Sequence, residues 1–260
     1  MTHNTDGHDR SLSLSQYLLK KYSPDLFLRQ ENWLFTFQHY KLDSINHEYT
    51  GAGIACDFNL PVSVSGLEKA KWGIDTLWKR TINHNIETMM DYSNERVQVL
   101  KLKFGETPFF VMNIYLPSTS LSETHFDKAL SNIQSTLCVT SSQGPTIACG
   151  DWNVSLHRKK PTSRDNKFKR FCDSMGLIPA EGTNDLPTYH GHNNTESKLD
   201  YVLLHQDSFL SHNIPLSNVS MFLHICTETS PLIISTHDVL GFKITIPNNS
   251  EKNTIKEKTA

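Results

Sequence analysis

The sequence lacks any long apolar run, and none approaches the roughly 20 residues that a membrane helix requires, so helical membrane spanning is excluded. It is poor in cysteine. The five, at positions 56, 138, 149, 172 and 226, are odd in number and form no Cys-x-x-Cys pair. Neither a disulfide framework nor a zinc site is therefore indicated, and reduced core thiols are the expectation. It lacks an excess of either charge: 25 Lys and Arg stand against 27 Asp and Glu, a formal net charge of −2. No global field draws the chain to nucleic acid, so any grip on a polyanion must come from a local patch. The opening stretch "MTHNTDGHDRSLSLSQ" has neither the basic nor the apolar region of a signal peptide, and an intracellular protein, nuclear or cytoplasmic and not secreted, is expected. Internal repeats and long linkers are also missing.

What is present is one domain's worth of alternating strand-like and helix-like segments. The 260 residues suffice for a sizeable core. Residues 1–247 read as a single domain, and 248–260, "NNSEKNTIKEKTA", as a polar, disordered tail. Apolar periodicity predicts helices over 11–22, 121–137 and about 163–175. Strands are expected at "DLFLRQ", "IDTLW", "FFVMNIYLP", residues 145–150, "KLDYVLL" and "VLGFKITI". The segment "ERVQVLKLKF" alternates as a half-buried strand does. "GAGIACDF" reads equally as strand or loop. Hairpins mixed with helical crossovers point to two packed sheets with helices outside rather than a doubly wound sheet.

Polar residues stand where these strands end. "Pro-Thr-Ile-Ala-Cys" halts at Gly150-Asp151-Trp152-Asn153. Asp151 and Asn153, two apart, would leave a strand on the same face. A plain turn explains the same residues, because Asp and Asn favour turns. Asn4 and Asp6 precede the first helix, Glu31 closes "LFLRQ", Asn113 and Tyr115 close "FFVMNIYLP", Asp200 lies within "SKLDYVLL", and His237 precedes the last strand. Singly, each has an ordinary explanation: a solvated strand end, a rim tyrosine, a surface pair of Asp200 with Lys198, a structural histidine.

In order, the motifs "NTDG", "QENWL", "NIYLP", "GDWN", "SKLDYVLL" and "STHDVL" resemble those of the endonuclease/exonuclease/phosphatase superfamily, the fold of deoxyribonuclease I and of exonuclease-III-type abasic-site endonucleases. The resemblance runs from Asn4 to about residue 246. "QENWL" and "WGIDTLWK" look most similar to the endonuclease domains of non-LTR retrotransposons, which nick DNA and leave a 3′-hydroxyl for priming. It implies an α/β fold, a four-layer α/β/β/α sandwich of two mixed sheets. It implies a Mg²⁺-dependent phosphodiester hydrolase, with Mn²⁺ as a substitute, acting on DNA. Glu31 would hold the cation with help from Asn4. Asp151 would orient or deprotonate the attacking water, beside Asn153. Asp6 would organise Tyr115, whose hydroxyl would donate to phosphate. Asp200 and His237 would pair at the scissile phosphate.

This chain departs from the family pattern in two places. The last motif is normally Ser-Asp-His; here it is Ser235-Thr236-His237, and Thr236 brings a hydroxyl to the metal but no charge. Asp238 follows the histidine, but a shift along a strand re-aims a side chain. "MTHN" also leaves room for only a stub of first strand, so that sheet edge is expected to be incomplete. These departures support an alternative, a derivative that binds DNA or a partner without cutting; other superfamily substrates are an abasic site, RNA or a phosphoinositide.

Phosphate contact is expected from "RKKPTSRDNKFKR", where Arg158, Lys159, Lys160, Arg164, Lys167, Lys169 and Arg170 surround one acidic residue directly after the GDWN motif. A solvated helix face is the plainer reading. The polar, His-rich "PTYHGHNNTESK" reads either as a loop touching the DNA groove or as a connecting loop.

Overall fold

A computed structural model describes residues 1–55, 72–182, 186–191, 195–224 and 236–245. The expected tail, 248–260, lies outside the described residues, as does all of "CDF", 56–58.

Two six-stranded sheets form the body. The first is built from β1 (Thr2–Asn4), β2 (Leu26–Gln30), β3 (Tyr49–Ile54), β4 (Ile74–Lys79), β13 (Val219–His224) and β14 (Val239–Ile244), in the order β13-β14-β1-β2-β4-β3. The second contains β5 (Ile86–Thr88), β6 (Val97–Leu102), β7 (Phe109–Tyr115), β8 (Thr146–Asp151), β9 (Leu177–Pro179) and β12 (Asp200–His205), in the order β5-β6-β7-β8-β12-β9. β10 (Tyr189–Gly191) and β11 (Thr195–Ser197) form a separate hairpin, within the stretch read as a loop. α1 (His8–Tyr22) covers the first sheet, with Leu14, Leu18 and Leu19 packed on Phe27 and Leu77. α2 (Glu123–Gln143) and α3 (Ser163–Ser174) cover the second, with Phe126, Ile133 and Phe168 against Val99, Met112 and Tyr201. α4 (Gln206–Ser211) is a short turn after β12. The layers are helix, sheet, sheet, helix, as expected. No helix of the described residues is long and apolar enough to cross a membrane.

The period of two on each strand divides its residues between the helices and the facing sheet. On β7, Phe110, Met112 and Ile114 face α2, while Phe109 and Val111 face the other sheet, in an inter-sheet core shared with Leu28 of β2 and with Ile147, Cys149, Val202 and Leu204 of their own sheet. Followed to the rim, that inter-sheet face runs on to Asn113 and Tyr115 of β7, Asp151 of β8, Asp200 of β12 and Gln30 of β2. The polar cluster is thus the continuation of the inter-sheet core where the sandwich opens to water.

Two expectations are corrected. β6 is buried on both faces, because it lies between α2 and the facing sheet. Its one polar inward residue, Gln98, is satisfied by Thr76 Oγ1 at 2.7 Å and by donating to the Ala52 carbonyl at 2.8 Å. The short β1 is not an incomplete edge. It pairs parallel with β2 and antiparallel with β14, which places Asn4 in the middle of the sheet.

Candidate active site

Five left-handed, non-glycine residues mark the rim: Asp6 (φ 47°), Glu31 (54°), Trp33 (54°), Trp72 (70°) and Asn153 (51°). Each costs energy that surrounding contacts must offset, and such strain concentrates at functional sites. Here backbone bonds hold it. Gly7 N–H donates to the Glu31 carbonyl and His8 N–H to that of Asn32, both at 2.8 Å, and Trp33 N–H donates to Trp72 at 2.9 Å. Gly7 itself has φ 102° and would drive a Cβ to 2.7 Å from the Trp33 ring, so no larger residue fits. Gly150 is fixed for the same reason, since its Cβ would stand 2.0 Å from the Ile114 carbonyl oxygen of β7.

Beneath Glu31 lies a fully buried ion pair that sequence reasoning missed. Arg29 grips Asp75 with two bonds, of 2.7 and 2.9 Å. Asn32 donates to the same carboxylate at 2.7 Å, and His8 Nδ1 lies 3.3 Å from the guanidinium. Burial and the Arg29 charge hold His8 down, at about 4, so it is neutral at pH 7.

Above this, the expected residues converge. The Asn4 side-chain amide donates to Glu31 Oε1 at 3.0 Å and to Asp151 Oδ2 at 2.8 Å. One nitrogen thus ties a carboxylate of each sheet. Its oxygen accepts the Asp6 N–H at 3.1 Å, so Asn4 presents its donor, not its oxygen, to the carboxylates. The Tyr115 hydroxyl donates to Glu31 Oε1 at 2.8 Å and the Trp33 indole to Oε2 at 3.2 Å. Burial and then Glu31 push the Tyr115 phenol well up, so it stays a donor. Asp6 does not reach Tyr115 through any hydrogen bond of the described residues; its carboxylate takes Arg10 at 3.0 Å. Asp151 Oδ1 accepts the Asn153 N–H at 2.8 Å and Oδ2 its side-chain amide at 3.1 Å. Asn153 thus reaches Asp151 by turning back, not by extending the strand.

Asp200 is the direct partner of Asp151 across β8 and β12. His237 Nδ1 lies 2.9 Å from Asp200 Oδ2, and its Nε2 3.9 Å from Asp151 Oδ2. Burial opposes charge on His237, but Asp200 and then Asp151 outweigh it and raise the ring to about 9. Burial pushes Asp151 up as well. Asp151, Asp200 and His237 each offer a ligand atom within 4.8 Å of the others.

A divalent cation fits this donor set, since Mg²⁺ binds through one or two carboxylates plus water and phosphate oxygens. Glu31 and Asp151 converge through one amide, and Asp151 is a carboxylate whose charge is disfavoured by burial and then by the neighbouring Asp200. Thr236 is half-buried and its backbone carbonyl accepts the His190 N–H at 2.8 Å; no hydrogen bond of its hydroxyl is found among the described residues. Asp238 does not take the missing carboxylate's place, because it turns to His190, at 2.8 Å.

Arg96 was also missed. It is 7% exposed, its guanidinium lies 4.8 Å from the Trp72 ring and 5.1 Å from that of Tyr115, and its Nη1 is buried without a hydrogen-bond partner among the described residues. Burial pulls its pKa down. The Glu–Arg–Val context gave no signal distinguishing it from a surface charge.

The basic segment divides. Asp165 caps α3 through Thr162 and holds Arg158 at 2.7 Å. Arg164 is buried; it donates to Glu123 at 2.7 Å and to the carbonyls of Pro117, Ser118 and Leu121. Lys167 bonds Glu123 and Asp127. These three cations are spent on the fold, against expectation. Lys159, Lys160, Lys169 and Arg170 are exposed and have no ion pair among the described residues.

No protein-family model matches the sequence, and no curated protein does. Solved structures match closely in shape. The endonuclease domain of TRAS1, a telomere-specific non-LTR retrotransposon, is 12% identical with a TM-score of 0.65, over 95% of this chain and 98% of that one. The AP endonuclease LMAP from Leishmania major is 12% identical with a TM-score of 0.70, over 94% and 87%. The 3′ phosphatase NExo from Neisseria, bound to product DNA hairpin, is 13% identical with a TM-score of 0.67, over 94% and 98%. With the two mixed sheets between helices, these likenesses give the chain the fold of the endonuclease/exonuclease/phosphatase superfamily.

Proposed function

We propose that the chain is a divalent-metal-dependent phosphodiesterase that nicks DNA and leaves a 3′-hydroxyl, as a retrotransposon-type endonuclease does. The observation that carries this reading is the convergence of Asn4, Glu31, Tyr115, Asp151, Asn153, Asp200 and His237, from both sheets, on one rim. The likeness to two endonucleases and to a 3′ phosphatase bound to product DNA supports nucleic acid over other phosphodiesters.

Glu31 would hold the cation, Mg²⁺ or Mn²⁺, with Asn4 fixing its carboxylate against Asp151. When bound, it supplies positive charge to the phosphate oxygens and to the leaving oxygen. Asp151 accepts the proton of the attacking water, and Asn153, bonded to it, orients that water. Protonated His237, paired with Asp200, donates to a phosphate oxygen, as does Tyr115. Arg96 offers its free Nη1 to a phosphate beside the scissile one. Lys159, Lys160, Lys169 and Arg170 supply outlying backbone contacts, which position DNA without reading its sequence.

A second reading, a domain that binds DNA without cutting, is favoured by Thr236, which leaves the site one carboxylate short. The test is nicking of supercoiled plasmid with Mg²⁺ and with EDTA, by the wild-type chain and by Asp151→Ala and Thr236→Asp. Metal-dependent nicking that Asp151→Ala abolishes supports hydrolysis, and a gain in Thr236→Asp marks the threonine as a handicap. No nicking by either the wild-type or a folded Thr236→Asp chain favours the binding domain.

A further inference from the structure

Three consecutive residues outside the proposed chemistry lie between the start of β12, which carries Asp200, and the segment 236–238 around His237. Thr188 is fully buried. Its hydroxyl oxygen accepts the backbone N–H of Leu199 at 3.1 Å and of Asp200 at 3.0 Å, and its carbonyl accepts the Asp238 N–H at 2.7 Å. Tyr189 forms an antiparallel bridge to His237, and their rings meet edge to face at 5.0 Å. His190 donates its backbone N–H to Thr236 at 2.8 Å, and its Nε2 lies 2.8 Å from Asp238 Oδ2, on a carboxylate 1% exposed.

Asp200 opens β12 of the second sheet, and His237 stands two residues before β14 of the first; the two sheets pack on each other through side chains. The segment 188–190 hydrogen-bonds to both of these stretches. On one side it fixes the N-terminal end of β12; on the other it fixes the backbone immediately before and after His237. The aspartate that this chain carries after the histidine, rather than before it, serves that attachment.

We propose that Thr188-Tyr189-His190 is a positioning clamp that sets the Asp200–His237 geometry, and that the His190–Asp238 contact secures it in this chain. The inference rests on the reading that His237 acts on the phosphate. The clamp touches no reacting atom. It acts by holding the ring nitrogen where the phosphate will be, and a side chain misplaced by an ångström loses about 10²-fold in rate.

The test uses the whole chain. His190→Ala removes the contact at a quarter-exposed position, and His190→Gln returns a hydrogen-bonding group at the same reach. Thr188→Val removes the acceptor of two backbone bonds, and Thr188→Ser keeps it. The first readout is the downfield NMR resonance of the His237 Nδ1 proton shared with Asp200, which needs no hydrolysis. It is expected to move or broaden in His190→Ala and Thr188→Val and to return in His190→Gln and Thr188→Ser. The second is plasmid nicking, where kcat is expected to fall about 10- to 100-fold in the first pair with KM little changed. A folded His190→Ala chain, by circular dichroism, with the resonance unmoved overturns the clamp. A resonance that responds in a chain that nicks no DNA leaves the clamp standing and removes the hydrolytic reading.

Discussion

The rim at Asp151 and the basic segment that follows it lie next to each other in sequence and end differently in space. At the rim, residues from distant segments share hydrogen bonds: Asn4 alone ties Glu31 to Asp151. In the segment from Arg158 to Arg170, charges that look alike in sequence separate into three held by Asp165, Glu123 and Asp127 and four facing water. The lesson is physical. A strand end dictates where its side chain points, because the pleat alternates. A basic run dictates only that charge is nearby, and helix caps and neighbouring helices decide where it is used.

The sharpest way to break this comparison is at the rim. Asp151→Asn keeps the shape but cannot take a proton, and nicking is expected to fall by about 10³-fold or more, within the range of lost general-base catalysis, in a single-turnover plasmid assay. In the basic segment the largest effect is on stability. Arg164→Ala leaves the carbonyls of Pro117, Ser118 and Leu121 without their donor, and urea unfolding is expected to show a loss of about 2 kcal/mol, as for buried acceptors left unsatisfied. A drop in DNA affinity without a loss of stability would return Arg164 to the DNA-binding set.

The foundation of the rim makes a pH prediction. His8 is held neutral, at about 4, against an ordinary 6.5. Its folded-state pKa is depressed, so between these values the unfolded chain binds more protons. Its contribution is therefore complete above about pH 6.5 and lost as pH falls toward 4, by about 3 kcal/mol in all. Urea titrations at pH 7 and pH 5 check the sign, and His8→Gln is expected to flatten the difference. The smallest effects belong to the free lysines. Lys159→Ala and Lys160→Ala are each expected to weaken DNA binding a few-fold and to lower the slope of log affinity against log salt by about 1. Lys167→Ala, which removes an engaged lysine, is expected to leave that slope unchanged.

Most of the sandwich was legible because its strands are apolar, of ordinary length and punctuated by Gly and Pro, and because strand-end polar residues announce the rim. The order of six motifs carried the fold. Less could be read where partners are far apart in the chain. Asp75 sits inside "IDTLW" and looks like a solvent-facing position; only the arrival of Arg29, 46 residues earlier, makes it a core residue. Arg96 reads as one more surface charge until β7 lays Tyr115 beside it. The 3₁₀ segment Thr36–Ser44 has no 3.6-residue period to detect. The hairpin of β10 and β11 is too short and too polar to show strand alternation.

The central claim is hydrolysis of a DNA phosphodiester at this rim with release of a 3′-hydroxyl. Its most direct test is cleavage of a 5′-labelled duplex by the wild-type chain in Mg²⁺, followed by extension of the product with a DNA polymerase and no prior phosphatase. The account predicts fragments that extend fully, and none in EDTA or from Asp151→Asn. Fragments that form equally in EDTA, or that extend only after a phosphatase, would contradict it.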